Sequence, residues 1–85
     1  MQIELTSAAN EHLLFWQKTG NKAILKKIEN LVDSILINPY EGLGKPEALK
    51  HNLTGCWSRR INQEHRLVYK VSDDYIILLS IKGHY

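Results

Sequence analysis

Cysteine is all but missing from this chain: Cys56 stands alone among 85 residues. A single thiol excludes an internal disulfide, and it lacks the companions a cysteine-based metal centre needs. Two prolines and five glycines are too few for a collagen-like or low-complexity chain. No run approaches the roughly 20 apolar residues of a membrane span. The stretch from Met1 to Leu5 is too short for a signal peptide and contains Glu4, so the expected location is the cytoplasm. There is no HExxH motif and no carboxylate set suited to metal-assisted hydrolysis. "GLGKPE" does not continue as a phosphate-binding loop. The expectation is therefore a protein without metal or cofactor.

What is present fits one domain spanning residues 1–85. The composition, 44% hydrophobic and 24% charged, is that of a globular domain rather than a disordered one. A chain this short buries only about 60–65% of its unfolded surface, so its core is thin and a partner or second copy is expected. The net charge of +2 is unevenly spread. Residues 1–42 carry four lysines against five carboxylates, whereas residues 43–85 carry seven cations against four. The three arginines, Arg59, Arg60 and Arg66, fall close together in the basic half. Guanidinium groups match phosphate geometry, which suits a phosphate-bearing partner; the plainer reading is a solvated basic face.

The periodicities predict an α+β fold in the order β-α-α-β-β-β. Ile3 and Leu5 alternate with polar residues in a short first strand. A helix follows, capped by Thr6 or Ser7, with Ala9, Leu13 and Trp16 on one face and Gly20 as its stop. Ile24, Leu25, Ile28, Leu31, Val32, Ile35 and Leu36 mark a second helix, ended by Pro39. Residues 38–49, "NPYEGLGKPEAL", read as a loop. "CWSRRI", "RLVYKV" and "YIILLSI" read as an antiparallel meander with both helices packed on one face of the sheet. The last strand, nearly all apolar, is expected to be central and covered on both sides. Where the first strand inserts is left open by the pattern.

Four features carry possible chemistry, and each has a dull explanation. Glu47 sits in the Gly/Pro-rich stretch beside Lys45, Lys50 and His51, where a glutamate is ordinarily just solvated. Arg59 and Arg60 are neighbours on a strand and must face opposite ways, so at most one joins a given site directly. Arg66 is flanked by apolar residues and should have an anionic partner, protein or phosphate. His84 ends an apolar run and would ordinarily be an exposed terminal histidine. Together they meet a known need. Metal-free RNA cleavage requires a base for the 2′-hydroxyl, an acid for the leaving 5′-oxygen and cations for the phosphorane charge.

The segment "GKPEALKHNLTGCWSRRINQEHRLVYKV", with the ending "HY", closely resembles YoeB-type toxins of the RelE superfamily. The likeness covers essentially the whole chain, including "FWQ" and "NPYEG". It implies a compact RelE-like, microbial-RNase-like fold and an mRNA interferase that cuts the codon displayed in the ribosomal A site. It implies Glu47 as general base, His84 as general acid and Arg66 as the transition-state arginine. Lys50 and Arg60 are implied to line the site, and Tyr85 to help position substrate. Lys45 and Arg59 are expected to add phosphate contacts. The implied partners are a YefM-type antitoxin with an acidic wrapping segment, A-site mRNA with ribosomal RNA, and a second copy of the chain. Operator DNA is expected only through the antitoxin complex, and no membrane. In "IKGHY", Gly83 stands where some members carry an aromatic. The rival reading is a non-catalytic module using its basic face to bind RNA, or DNA with its antitoxin; such a binder has no use for Glu47 and His84 together.

Overall fold

The fold is that of a computed structural model, which describes residues 1–83. The elements are β1 (Gln2–Leu5), α1 (Ser7–Thr19), α2 (Lys22–Ile37), β2 (Glu47–Ala48), β3 (Cys56–Arg60), β4 (Arg66–Val71) and β5 (Tyr75–Ser80), with one 3-10 turn at His51–Leu53. The sheet order is β1-β5-β4-β3-β2. The α+β class, the two helices and the antiparallel meander of β3, β4 and β5 match the sequence reading.

Helix boundaries follow local chemistry. The Thr6 side chain accepts the Ala9 N–H at the start of α1, and Gly20 ends it in the left-handed region at φ 68°, as capping rules require. Asn21 does the same for α2 by accepting the Ile24 N–H. Ile24, Ile28, Leu31 and Ile35 form the buried stripe of α2. They pack with Ala9 and Trp16 of α1 onto Leu67, Tyr69, Ile76 and Leu78 of the sheet. Fully buried residues such as Leu31 and Ile35 each contribute about 1.5–3 kcal/mol through burial.

Two features differ from the sequence reading, and a third fills a place it left open. The supposed loop over residues 38–49 contains β2, whose two residues pair antiparallel with Trp57 and Ser58. Glu and Ala are poor strand formers, so this strand exists because β3 offers it an open edge. β1 inserts beside β5 in parallel, matching Ile3 to Ile76 and Leu5 to Leu78. β5 is central, but only one of its faces is fully covered: Ile76, Leu78 and Ser80 are buried, while Ile77 and Leu79 are half-buried. The helices pack on one side only, and the other face carries the residues described below.

The end of the described chain is tied to α1. His12 Nδ1 accepts the Ile81 N–H at 3.1 Å, so this nitrogen carries no proton in the fold. Burial, and secondly Lys82, push the His12 pKa below its ordinary value, with Glu11 opposing. The folded value thus lies below the unfolded value of about 6.5. The stabilisation is complete above about pH 6.5 and is lost as the pH falls from there through the folded value. His12→Asn keeps an acceptor near the same position and cannot titrate. Melting temperatures recorded between pH 7.5 and 5 should fall more steeply for the parent than for H12N. Parallel curves would contradict the assignment.

Candidate active site

Strand register decides which side chains share the face opposite the helices. Glu47 pairs with Ser58, Ser58 with Val68, and Arg60 with Arg66. Directly paired residues lie on one face, as do alternate residues along a strand. Glu47, Ser58, Arg60, Arg66, Val68 and Lys70 therefore project to the same side. Ser58 and Val68 lie outside the helix-packed core, yet they are only 5% and 2% exposed. They form a recessed floor. Glu47 stands at its outer edge on β2, and the Arg60–Arg66 rung closes one end.

The electrostatics of that rung are unusual. Like charges directly opposite on neighbouring strands destabilise a sheet. Among the described residues the ion pairs are Lys26–Glu29 and His65–Glu64, and neither involves these arginines. Arg66 Nη1 is buried with no hydrogen-bond partner among the described residues. A buried guanidinium nitrogen without an acceptor is costly.

Arg59 has a different task, and its expected phosphate contact is overturned. It is 0% exposed. Its Nε donates to Tyr69 Oη, Nη1 to Ser34 Oγ and Leu43 O, and Nη2 to Asn38 O and Glu41 O. All these acceptors are protein groups, leaving no donor for a substrate. The last turn of α2 carries no cation of its own, and Arg59 delivers one to that helix end from β3, where the dipole favours positive charge. Tyr69 completes the network by donating to Pro39 O. Burial, ahead of the opposing Arg59 bond, pushes its phenol above the ordinary pKa. The segment preceding Glu47 is thus fastened to the sheet. Gly44 lets it lie close: at φ 81° a Cβ would sit 2.7 Å from Leu31 Cδ2 and 3.0 Å from Arg60 O.

Lys45 and Arg60 meet in a shallow groove with Asn62 and Gln63. Lys27 of α2 joins them, a cation the sequence reading did not single out because its helical position marks it only as polar. Lys50 is exposed immediately after Leu49, whose N–H donates to Cys56 O. Arg66 also fixes the chain end, its backbone N–H donating to Gly83 O at 2.9 Å. His84 and Tyr85 lie outside the described residues, so the roles expected of them have no geometry here. No three His, Cys, Asp or Glu side chains among the described residues are grouped to hold a metal ion. No described helix is long and apolar enough to cross a membrane.

Comparison with known proteins agrees with the resemblance carried by the sequence. Residues 5–85 match the family described as YoeB-like toxin of bacterial type II toxin-antitoxin system. The chain is 54% identical to Toxin YoeB of Escherichia coli strain K12 over 85 residues, covering 100% of both. The YoeB dimer from Staphylococcus aureus superposes with a TM-score of 0.92 at 49% identity, covering 100% of this chain and 98% of that one. The YoeB–YefM complex from the same organism gives 0.90 at 50% identity, with the same coverage. With the full length matched in sequence and in fold, the chain belongs to the YoeB toxin family of bacterial type II toxin–antitoxin systems.

Proposed function

We propose that this toxin is an endoribonuclease, an mRNA interferase that cleaves the codon exposed in the ribosomal A site. The observation that carries the reading is the opposed Arg60–Arg66 rung, with Arg66 Nη1 unsatisfied among the described residues, on the same face as the Glu47 carboxylate. A non-catalytic phosphate binder would need the arginines but not the carboxylate beside them.

The reaction is a transesterification. Glu47 accepts the proton of the 2′-hydroxyl as O2′ bonds to phosphorus. Arg66, with Arg60 and Lys50, stabilises the charge on the phosphorane oxygens. The P–O5′ bond breaks as His84 gives its proton to O5′, leaving a 2′,3′-cyclic phosphate and a 5′-hydroxyl end. Both proton transfers are met by side chains, so the balance calls for no metal or cofactor. Tyr85, Lys45 and Lys27 serve substrate placement. Arg59 serves it indirectly, through the loop it holds.

The Staphylococcus aureus relatives were obtained as a dimer and as a complex with YefM. By that likeness this chain is neutralised by a YefM-type antitoxin and pairs with a second copy of itself. The deciding experiment maps mRNA ends after brief induction and determines their chemistry. Cuts in register with codons and bearing cyclic phosphates are expected. Ends bearing 3′-hydroxyl and 5′-phosphate groups would overturn the mechanism.

A further inference from the structure

After Ser80 the chain leaves the sheet ladder, yet it is held more tightly than a strand end needs. Ile81 is 1% exposed, and both of its backbone polar groups are bonded to α1. Trp16 Nε1 donates to Ile81 O at 3.0 Å, and the Ile81 N–H donates to His12 Nδ1 at 3.1 Å. One residue on, Ser80 Oγ donates to Lys82 O at 3.0 Å, and Lys82 Nζ lies 4.4 Å from the centroid of the Phe15 ring. At Gly83 the N–H donates to His65 Nδ1 at 3.1 Å, while the carbonyl accepts from Arg66 N. Trp16 and His65 brace each other edge-on, their rings 4.8 Å apart.

Two properties of this arrangement go beyond anchoring a terminus. First, the four polar groups of the backbone at Ile81 and Gly83 are fixed by three different elements: α1 supplies His12 and Trp16, the β3–β4 turn supplies His65, and β4 supplies Arg66. A buried Ile81 side chain alone would hold the segment in place but leave its rotation free. The bonds remove that freedom. Secondly, the last bond ties Gly83 to the main chain of Arg66, the residue whose Nη1 has no partner among the described residues. Gly83 has φ of 104°, a left-handed turn set by these two bonds immediately before His84.

We infer that His12 and Trp16 of α1, with His65, are positioning residues that orient the chain at Ile81–Gly83 so that His84 can reach the leaving oxygen. The inference rests on the acid role proposed for His84. A displacement of about 1 Å in a reacting group lowers rates by up to about 100-fold, which is what a clamp of this kind prevents. The imidazoles of His12 and His65 act only as acceptors through Nδ1, each with its proton on Nε2. The charged groups facing them are Lys82 and Glu11 around His12, and Glu64 beside His65 at 3.9 Å.

The test is single-turnover cleavage of mRNA on programmed ribosomes at saturating enzyme. One substrate is ordinary RNA. The other carries sulfur in place of the bridging 5′-oxygen, whose thiolate leaves without a proton. His12→Leu should slow cleavage of the ordinary substrate about 10–100-fold with half-saturation unchanged, and His12→Asn should restore the rate to within about threefold. Trp16→Phe, which keeps an aromatic side chain and loses the indole N–H, should show the same kind of loss as H12L. Both losses should vanish on the sulfur substrate, as should that of His84→Ala, whereas the loss in Glu47→Ala should persist. A parent-like rate for H12L and W16F on ordinary RNA, or a loss that survives the sulfur, overturns the clamp. A His84→Ala loss that survives the sulfur overturns the acid assignment beneath it.

Discussion

Glu47→Ala is expected to lower mRNA cleavage by about 100- to 10,000-fold, the usual contribution of a general base, with the fold intact. Glu47 is exposed, sits on a two-residue edge strand and makes no side-chain hydrogen bond or ion pair among the described residues. Nothing in the packing depends on its carboxylate, so the change in stability should stay within about 0.5 kcal/mol. Single-turnover cleavage and thermal melting on the same preparation separate the two quantities. Glu47→Gln should resemble the alanine variant, because an amide keeps the shape and cannot accept the proton. A cleavage rate within threefold of the parent would remove Glu47 from the mechanism.

The second large effect concerns stability, and it turns on two adjacent arginines with opposite fates. Arg59→Leu would remove five donated bonds and leave the carbonyls of Asn38, Glu41 and Leu43 without their donor. The bonds to these carbonyls are part-buried, so stranding each acceptor costs no more than the about 1–3 kcal/mol of a buried one, against about 5–15 kcal/mol for the whole domain. The variant should therefore be markedly less stable than the parent, with a clearly lowered urea midpoint. Arg59→Lys should fare little better, since a single ammonium has three donors and no fork. Arg60→Leu, one residue further, should be as stable as the parent or slightly more so, because it relieves the opposition to Arg66. Its loss should appear in cleavage instead. Equal stability of R59L and the parent would disprove the network.

How much of this was legible in the sequence depends on how local the cause was. The helices were readable because their caps and apolar stripes lie within a few residues of each other: Thr6 before Ala9, Asn21 before Ile24, and Pro39 after the last turn. The alternation in "CWSRRI" and "RLVYKV" gave the faces correctly, including the separation of Arg59 from Arg60. It could not say which of the two points inward, because an arginine is almost never fully buried. The acceptors that make burial tolerable come from residues 34–43, across a loop. β2 was missed for a similar reason: its two residues have no strand character and are ordered by a neighbour. His12 was passed over because its importance lies in Ile81, 69 residues away. For the candidate site, Glu47 and Arg66 were visible as residue types, but their sharing of one face depends on the β2–β3–β4 register.

The parallel pairing of β1 with β5 has a consequence for how this toxin comes into being. Gln2 is matched with Tyr75, and Thr6 bonds to Leu79, so the first strand to be synthesised waits for almost the last. α1, whose Trp16 and His12 contact Ile81, has no finished surface to rest on until then. Contacts of such long sequence separation make folding slow and late. During translation the basic strands emerge before the sheet that organises them can close. The face that carries Glu47, Arg60 and Arg66 is therefore completed only once β5 has joined β1 and β4.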